Sequence, residues 1–376
     1  MRYLFFLFVF LPVQLMAQGY QVNLQGQKQQ GMASAGTALI QDASSLFFNP
    51  GGVSFLEKSS LIVSFTPVFS NVSFQDANNG EFATTNSPFG KPFALYSTFG
   101  LKSVEKLKLG LAIYTPFGST VSWEDEWTGR FTLTRLQLLS INFQPSVSYK
   151  ITDKLGIGAG FIYTYGKVNL QKDLPVLFEN GDYASAELAG SGGGMGVNAG
   201  VYFEINKHFS LGLTYRSKIN MSVSDGTATF NVPESLEDKF PNGSFSSSLP
   251  LPQVITFGIG VKHNEKLSFA IDANYIGWSA YDTLGFDYAI NTESLEDTRS
   301  PRNYVNTIAA RIGAQYKISE SLITRVGIGY ALSPVQDGYL TAETPDANRI
   351  SYTLGIGYHI NDLFTIDASL LYTSTN

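Results

Sequence analysis

Apolar and polar residues alternate with a period of two through most of this chain. Around residue 212, for example, Leu211 and Leu213 fall on one face and Gly212 and Thr214 on the other. The clearest such segments are residues 209–218, 254–262, 308–316 and 353–358. Strict alternation predicts half-buried β-strands, each with one apolar face.

The connections between these segments fall into two classes. Six are tight turns around a few polar residues, at 101–107, 149–155, 203–209, 261–267, 316–322 and 358–364. The others are long and polar, at 75–91, 118–131, 172–192, 224–250, 279–302 and 333–347. Short turns at one end of a sheet and long loops at the other are typical of outer-membrane barrels. We therefore predict an all-β fold, a transmembrane antiparallel β-barrel.

The pattern gives thirteen strands, at 59–75, 92–102, 107–117, 132–150, 155–171, 193–206, 209–224, 252–263, 266–279, 303–318, 321–332, 348–359 and 362–373. Bacterial single-chain barrels have even strand numbers. Either one strand escapes detection or the sequence stops before a fourteenth. We favour truncation at Asn376, because an unclosed barrel exposes unpaired backbone to lipid.

The N-terminus has the pattern of a secretory signal peptide. Arg2 is basic, residues 3–11 are apolar, and Ala17 is a small residue suited to cleavage. A membrane anchor is the alternative, but this apolar stretch is too short to span a hydrocarbon core of about 30 Å as a helix. We predict a signal peptide at 1–17 and export to the outer membrane of a Gram-negative-type bacterium.

Composition argues against several functions. The net charge is −6 without a cluster of Lys or Arg, so nucleic-acid binding is not expected. The chain has no Cys, and its three His residues (His208, His263 and His359) lie in or beside short turns. We expect no catalytic residues, no metal and no cofactor, and therefore no enzyme.

Glycines recur within the strands, on the face opposite the large apolar side chains. Examples are Gly110, Gly156, Gly212, Gly258 and Gly327. Since Gly weakens a strand unless something approaches its backbone closely, this face predicts an inserted segment or a ligand.

The segment Gly19–Glu57 is too long for a linker and has apolar content of its own. It resembles the hatch of the FadL family, the outer-membrane transporters of long-chain fatty acids and, in some members, aromatic hydrocarbons. Further similarity follows in order along the chain, at residues 114–119, 123–131, 144–160, 196–219 and 251–260. The resemblance implies a fourteen-stranded barrel plugged by a hatch. The domains would be a signal peptide (1–17), a hatch (18–58) and a barrel (59–376) that lacks its last strand.

The resemblance also implies a route for the ligand: capture among the outer loops, an internal pocket beside the mature N-terminus, and sideways release at a kinked third strand. The positions that match are Gly19 and Tyr20 for the N-terminal element, Asn49, Pro50 and Gly51 for a hatch step, and Thr115, Pro116, Phe117 and Gly118 for the kink. The family usually has Asn-Pro-Ala where this chain has Asn-Pro-Gly. Phe47 and Phe48 are expected to anchor the hatch. From the residues alone, Pro116 either interrupts its strand or ends it at a loop.

Three Arg residues fall on the predicted inner face and are candidates for binding a ligand carboxylate: Arg216, Arg311 and Arg325. The alternative is that they pair with inner acids such as Asp272 or Asp367, or with the hatch. We expect a monomer in outer-membrane lipid that takes up hydrophobic small molecules passively. A general porin or an adhesive barrel is the alternative function.

Overall fold

The computed structural model of the protein describes residues 19–76, 80–101 and 103–375. The predicted signal peptide at 1–17 lies outside these ranges. The helices are short: α1 (Gln27–Gln30), α2 (Ser45–Phe48) and 3-10 helices at Pro50–Phe55, Glu234–Leu236 and Trp278–Ala280. In the described ranges, no helix is long and apolar enough to cross a membrane.

Antiparallel β-structure makes up most of the remaining chain. The strands are β1 (Ser60–Phe65), β2 (Ser73–Gln75), β3 (Phe82–Thr84), β4 (Phe93–Leu101), β5 (Val104–Tyr114), β6 (Gly118–Ser122), β7 (Arg135–Lys150), β8 (Leu155–Leu177), β9 (Tyr183–Glu204), β10 (Phe209–Arg216), β11 (Ile219–Asn231), β12 (Gly243–Leu251), β13 (Val254–Lys262), β14 (Leu267–Ile276), β15 (Thr283–Tyr288), β16 (Thr298–Pro301), β17 (Thr307–Lys317), β18 (Leu322–Ala331), β19 (Arg349–His359) and β20 (Thr365–Thr375).

These strands form the staves of one barrel wall, a stave being a strand together with its continuation across an interruption. In order along the wall they are β1, β4, β5 with β6, β7, β8, β9, β10 with β11, β12 with β13, β14 with β15, β16 with β17, β18, β19 and β20. Each stave matches one of the predicted strands, because consecutive strands pair antiparallel and the alternation marks every one.

Five predicted loops are wrong in extent, since 75–91 contains β3 and 118–131 begins with β6. β8 and β9 pair as far as Leu177 and Tyr183, so most of 172–192 is strand, while 224–250 and 279–302 contain further strands. In these segments the alternation is inverted: in β11, Met221, Val223 and Phe230 are buried, whereas Asn220, Ser222 and Thr229 are exposed. The predicted strand 59–75 is also too long. β1 stops at Phe65, and Pro67 just beyond it has no N–H to donate.

The two faces of the wall differ as the alternation predicts. Val63, Leu213 and Leu354 are 74%, 50% and 56% exposed, whereas the adjacent Ser64 and Thr214 are buried inside. An apolar outer face suits contact with lipid. At one end, the tight turns are closed by Asn side chains, which accept hydrogen bonds from backbone N–H groups two and three residues later at Asn206, Asn264 and Asn361.

Residues 19–57 lie inside the wall. Their backbone passes so close to the inner glycines that a Cβ on Gly212 would lie 2.3 Å from Thr37 O, and one on Gly313 would lie 2.3 Å from Met32 Cβ. Gly110, on the opposite side, similarly faces Leu46. The prediction of an inserted segment behind the glycine face is therefore confirmed. Gln27 of α1 bonds both to Thr66, just after β1, and to Ser369 of β20, linking the first and last staves.

Candidate functional site

The N-terminal segment begins at the long-loop end of the barrel, where Tyr20 is 1% exposed. Its ring lies between Phe117, Trp278 and Tyr281, with centroid distances of 5.9, 4.9 and 5.5 Å. Its hydroxyl donates to Pro250 O at 2.5 Å. Gly19 has a φ of +51°, and a Cβ there would lie 2.9 Å from the Trp278 ring. The segment is therefore held by close aromatic packing that only glycine at position 19 permits.

The third stave is interrupted beside this segment. β5 ends at Tyr114 and β6 resumes at Gly118, both pairing with β7. Within the interruption, the N-terminal segment forms two backbone hydrogen bonds with the stave: Val22 N donates to Pro116 O at 2.8 Å, and Gly118 N donates to Tyr20 O at 2.9 Å. Pro116 therefore lies within a stave rather than at its junction with a loop.

A cavity of about 60 Å³ lies against Tyr20 and is almost wholly apolar. Its walls come from the upper parts of the staves and from the loop between β18 and β19. The lining residues are Tyr20, Leu136, Leu138, Val168, Leu170, Met221, Val223, Ser247, Leu249, Tyr281, Leu284, Phe286, Glu343 and Thr344. We call it the apolar cavity. It is suited to a hydrophobic ligand with few polar groups.

A second, polar cavity of about 30 Å³ lies deeper in the lumen. Arg216 and Arg311, both predicted carboxylate candidates, line it together with Phe47, Phe48 and Asp272. Arg216 donates to Phe47 O at 2.9 Å and lies 4.0 Å from the centre of the Phe47 ring. Arg311 donates to Asn274 at 2.5 Å and is the cross-strand partner of Asp272. These cations are already engaged by the hatch and the wall.

The third candidate, Arg325, lines neither cavity. Its guanidinium pairs with Asp367 at 2.8 Å, and the two side chains are 2% and 14% exposed. Asp272 instead accepts three hydrogen bonds from Gly36 and Thr37 of the hatch, at 2.9 to 3.1 Å. The alternative of pairing with an inner acid thus describes Arg325, and that of pairing with the hatch describes Arg216. A ligand role for any of the three stays a prediction.

The Asn49-Pro50-Gly51 step lies at the turn end, far from Tyr20. The Asn49 amide donates to Thr37 O at 2.8 Å and to Val201 O of β9 at 3.0 Å, and its Oδ1 accepts from Gly51 N at 3.0 Å. Ser148 of β7 donates to Pro50 O at 2.5 Å. The step therefore ties the hatch to two staves. Phe47 packs beside it against Phe48 and against Tyr114 of β5.

Gly51 stands against the wall so closely that a Cβ would lie 2.6 Å from Gly200 O and 3.0 Å from Gly156 O. Glycine at position 51 is thus explained by contact with two other glycines. We expect Gly51→Ala to lower the free energy of unfolding by about 1–3 kcal/mol, because neither backbone can move without disturbing its ladder. Urea unfolding in detergent measures this. Gly243→Ala is the control, since its nearest neighbour would be 3.8 Å away; equal losses in both variants would contradict the explanation.

Asp346 in the β18–β19 loop holds the start of the N-terminal segment. It accepts hydrogen bonds from Gly19 N at 3.0 Å and from Ser333 Oγ at 2.9 Å. Burial raises the pKa of Asp346 to about 6, partly offset by Arg349, whose guanidinium lies 4.0 Å away. The pKa of an unperturbed Asp side chain is about 4.

This shift makes stability depend on pH. Because the folded pKa is raised, the contribution of Asp346 is present in full below about pH 4 and is lost as the pH rises through about 6. We expect the midpoint temperature of thermal unfolding to be lower at about pH 7.5 than at about pH 5. The difference should be smaller in Asp346→Asn. Thermal unfolding in detergent at both pH values measures it. Equal falls in the two proteins would rule out Asp346 as the source.

Several residues of this region escape analysis of the sequence. Asp346 and Glu343 come from the loop between β18 and β19, and Trp278 and Tyr281 from the short interruption between β14 and β15. Residues in such segments carry no periodic signal. Only folding brings them to Tyr20. The predicted residues Gly19, Tyr20 and Thr115–Gly118 do come together, whereas Phe47–Gly51 form a separate group deeper in the lumen.

Known proteins share both the sequence and the fold. Residues 8–376 match the family model described as outer membrane protein transport protein (OMPP1/FadL/TodX). The long-chain fatty acid transport protein of Escherichia coli O6:H1 is 22% identical over 407 residues, which cover 96% of this chain and 88% of that protein. Outer membrane protein P1 of Haemophilus influenzae is 22% identical over 386 residues, covering 91% and 83%.

Solved structures agree on the architecture. The fold resembles that of a Pseudomonas aeruginosa FadL homologue, with a TM-score of 0.77, 19% identity and coverage of 94% of this chain and 90% of that one. The fold also resembles that of the Pseudomonas putida toluene transporter TodX, with a TM-score of 0.70, 17% identity and coverage of 96% of this chain and 99% of that one. The fold is thus a transmembrane β-barrel. The chain belongs to the OMPP1/FadL/TodX family of outer-membrane transport proteins, and it is an outer-membrane transporter rather than an enzyme.

Proposed function

We propose that the protein takes up hydrophobic small molecules by passive diffusion, through the apolar cavity beside Tyr20 and out sideways at the interruption of the third stave. One observation carries this proposal: the segment that closes the cavity is the same segment that is hydrogen-bonded to the interruption. Movement of residues 19–22 would therefore enlarge the cavity and release Pro116 and Gly118 together.

The driving force is burial of apolar surface, at about 0.8 kcal/mol for each methylene group. The cavity, at about 60 Å³, is too small for a long acyl chain while Tyr20 remains in place. A ligand would have to displace the Tyr20 ring and break its hydrogen bond to Pro250. Such a ligand would then move from the cavity to the bilayer without crossing water, which favours a side exit over an aqueous channel.

The hatch supports this function over a general porin. Residues 19–57 fill the lumen and contact the wall on several sides, so the described chain offers solutes no wide passage. A large steady ion current through the intact protein in planar bilayers would contradict the proposal and support the porin.

The substrate class rests on the relatives. One is named for long-chain fatty acids and another for toluene, so we infer hydrophobic compounds of these two kinds as candidates. Binding is tested by displacement of N-phenyl-1-naphthylamine, a neutral fluorescent probe, with oleate or toluene from the purified protein in detergent.

Filling the cavity should weaken binding of the probe. We expect Leu249→Trp to lower affinity for the probe by about tenfold, because the indole occupies the space that the ligand needs. Leu213→Trp is the matched control, since Leu213 faces lipid and is 50% exposed. In unheated samples, a folded barrel migrates differently on a gel from the heat-unfolded chain. This difference in mobility confirms that both variants assemble. Unchanged binding by an assembled Leu249→Trp variant would place the ligand elsewhere.

A further inference from the structure

The outward face of β8 ends in a lysine at the upper edge of its apolar band. From Ile157 to Tyr165 every outward side chain is apolar or aromatic, and the next outward residue is the exposed Lys167. Lys167 points away from the lumen, because the adjacent Gly166 faces inward, where an added Cβ would collide with the buried Met221. A barrel strand crosses the membrane in about 9–11 residues, so Lys167 lies where the hydrocarbon region ends.

The same order of residues is found on β4. From Leu101 up to Phe93 its outward side chains are apolar except for Ser97, and the next outward position is the exposed Lys91. An antiparallel bridge between Val68 and Gly90 continues the pairing of β1 with β4 above the strands, so the alternation of faces extends to Lys91. Both lysines therefore lie at the long-loop end, which is the outer end of such barrels.

Exposed aromatic rings accompany both lysines. The Lys91 ammonium lies 4.9 Å from the centre of the Phe89 ring, which stacks on Phe69 at 5.7 Å. Tyr163 and Tyr165, below Lys167 on the same face, are 42% and 38% exposed. Aromatic girdles mark the membrane–water interfaces of barrels, and a lysine there keeps its stem on apolar surface and its ammonium at the level of the headgroups.

Protein groups leave both charges available. Among the described residues, neither Lys91 nor Lys167 forms an ion pair. The outward acid nearest in register to Lys167 is Glu187 of β9, which lies opposite Gln171, further along β8, and accepts a hydrogen bond from Asn169. An unpaired cation at headgroup level attracts an anionic headgroup, and the lysine ammonium is a point charge suited to phosphate.

We propose that Lys91 and Lys167 bind phosphate groups of lipids in the outer leaflet. The occupant of each site is a phosphorylated lipid whose acyl chains lie on the apolar face below the lysine, so each site continues the surface that already meets lipid. The two sites lie on separate parts of the wall, on the second and the fifth stave. The inference goes beyond the proposed uptake route, because it concerns the outside of the barrel and holds whether or not a ligand passes through the lumen.

Binding of lipids to the purified full-length protein in detergent tests the proposal, with native mass spectrometry as the measurement. The probes are diphosphoryl lipid A, which is anionic, and dioleoylphosphatidylcholine, which has no net charge. We expect Lys91→Met/Lys167→Met to lower the affinity for lipid A by about tenfold or more and to leave that for phosphatidylcholine unchanged. Unchanged affinity for lipid A in the assembled variant would overturn the proposal.

The matched control is Lys207→Met/Lys266→Met, which removes two exposed lysines from the tight turns at the other end of the barrel. It should bind lipid A like the wild type, and a loss equal to that of the first variant would show that net charge rather than position governs binding. Excess inorganic phosphate should not displace lipid A, since it buries no acyl chain. Displacement would identify sites for soluble anions and overturn the lipid assignment. The difference in gel mobility between unheated and heated samples confirms assembly, and Lys91→Gln/Lys167→Gln makes the same test if the Met variant does not assemble.

Discussion

Oxidation of a Val22→Cys/Gly118→Cys variant should stop uptake, and dithiothreitol should restore it. A Cβ on Gly118 would lie 4.0 Å from a Val22 methyl carbon, and the two segments are hydrogen-bonded on either side, so the two positions are neighbours across the interruption. The bond would hold the N-terminal segment on the interrupted stave. If release of this segment opens the route, locking it should lower uptake by about tenfold or more. Uptake of a radiolabelled fatty acid by cells that lack other transporters of this family measures it.

The native chain contains no Cys, so the engineered pair is the only source of a disulfide. A matched control is Ser351→Cys/Thr373→Cys, which joins β19 to β20 at a pair of hydroxyls 3.1 Å apart and does not touch the N-terminal segment. Oxidation of the control should leave uptake unchanged. Equal uptake by the oxidised and reduced Val22/Gly118 variant would show that the segment need not leave the stave.

Removal of Arg325 should produce the largest loss of stability. The ion pair with Asp367 is buried, so Arg325→Ala leaves an unpaired carboxylate inside the barrel and should lower the free energy of unfolding by about 3 kcal/mol or more. The double variant Arg325→Met/Asp367→Met removes both charges and should regain most of this loss. Urea unfolding in detergent compares the three proteins.

A surface ion pair is the control for that experiment. Lys317 and Glu320 lie 2.5 Å apart, but Glu320 is 92% exposed, so Lys317→Ala should cost far less stability than Arg325→Ala. If the double Met variant binds and transports fatty acids like the wild type, Arg325 has no part in reading a carboxylate. Loss of transport by a stable double variant would restore it as a ligand residue.

The positions and facing of most strands in the barrel wall follow from the local alternation of apolar and polar residues. Leu213 beside Thr214 and Leu354 beside Thr353 show which face meets lipid, and the same alternation locates each stave. The inner glycines are equally informative, because a strand tolerates so many only where another backbone lies against them. Pro116 is more ambiguous: its missing N–H predicts a break in pairing but not whether a strand resumes beyond it.

The sequence by itself determined the strand positions, the outward apolar face and the presence of an inserted segment, because each depends on neighbours within a few residues. Only the tertiary structure decided which groups meet. Arg325 finds Asp367 through the pairing of three staves, and Gly19 finds Asp346 from more than three hundred residues away. The apolar cavity is likewise assembled from seven or more separate segments, and one of its lining residues, Glu343, belongs to a loop. Such contacts depend on register and on loop packing, for which residue spacing along the chain carries no signal.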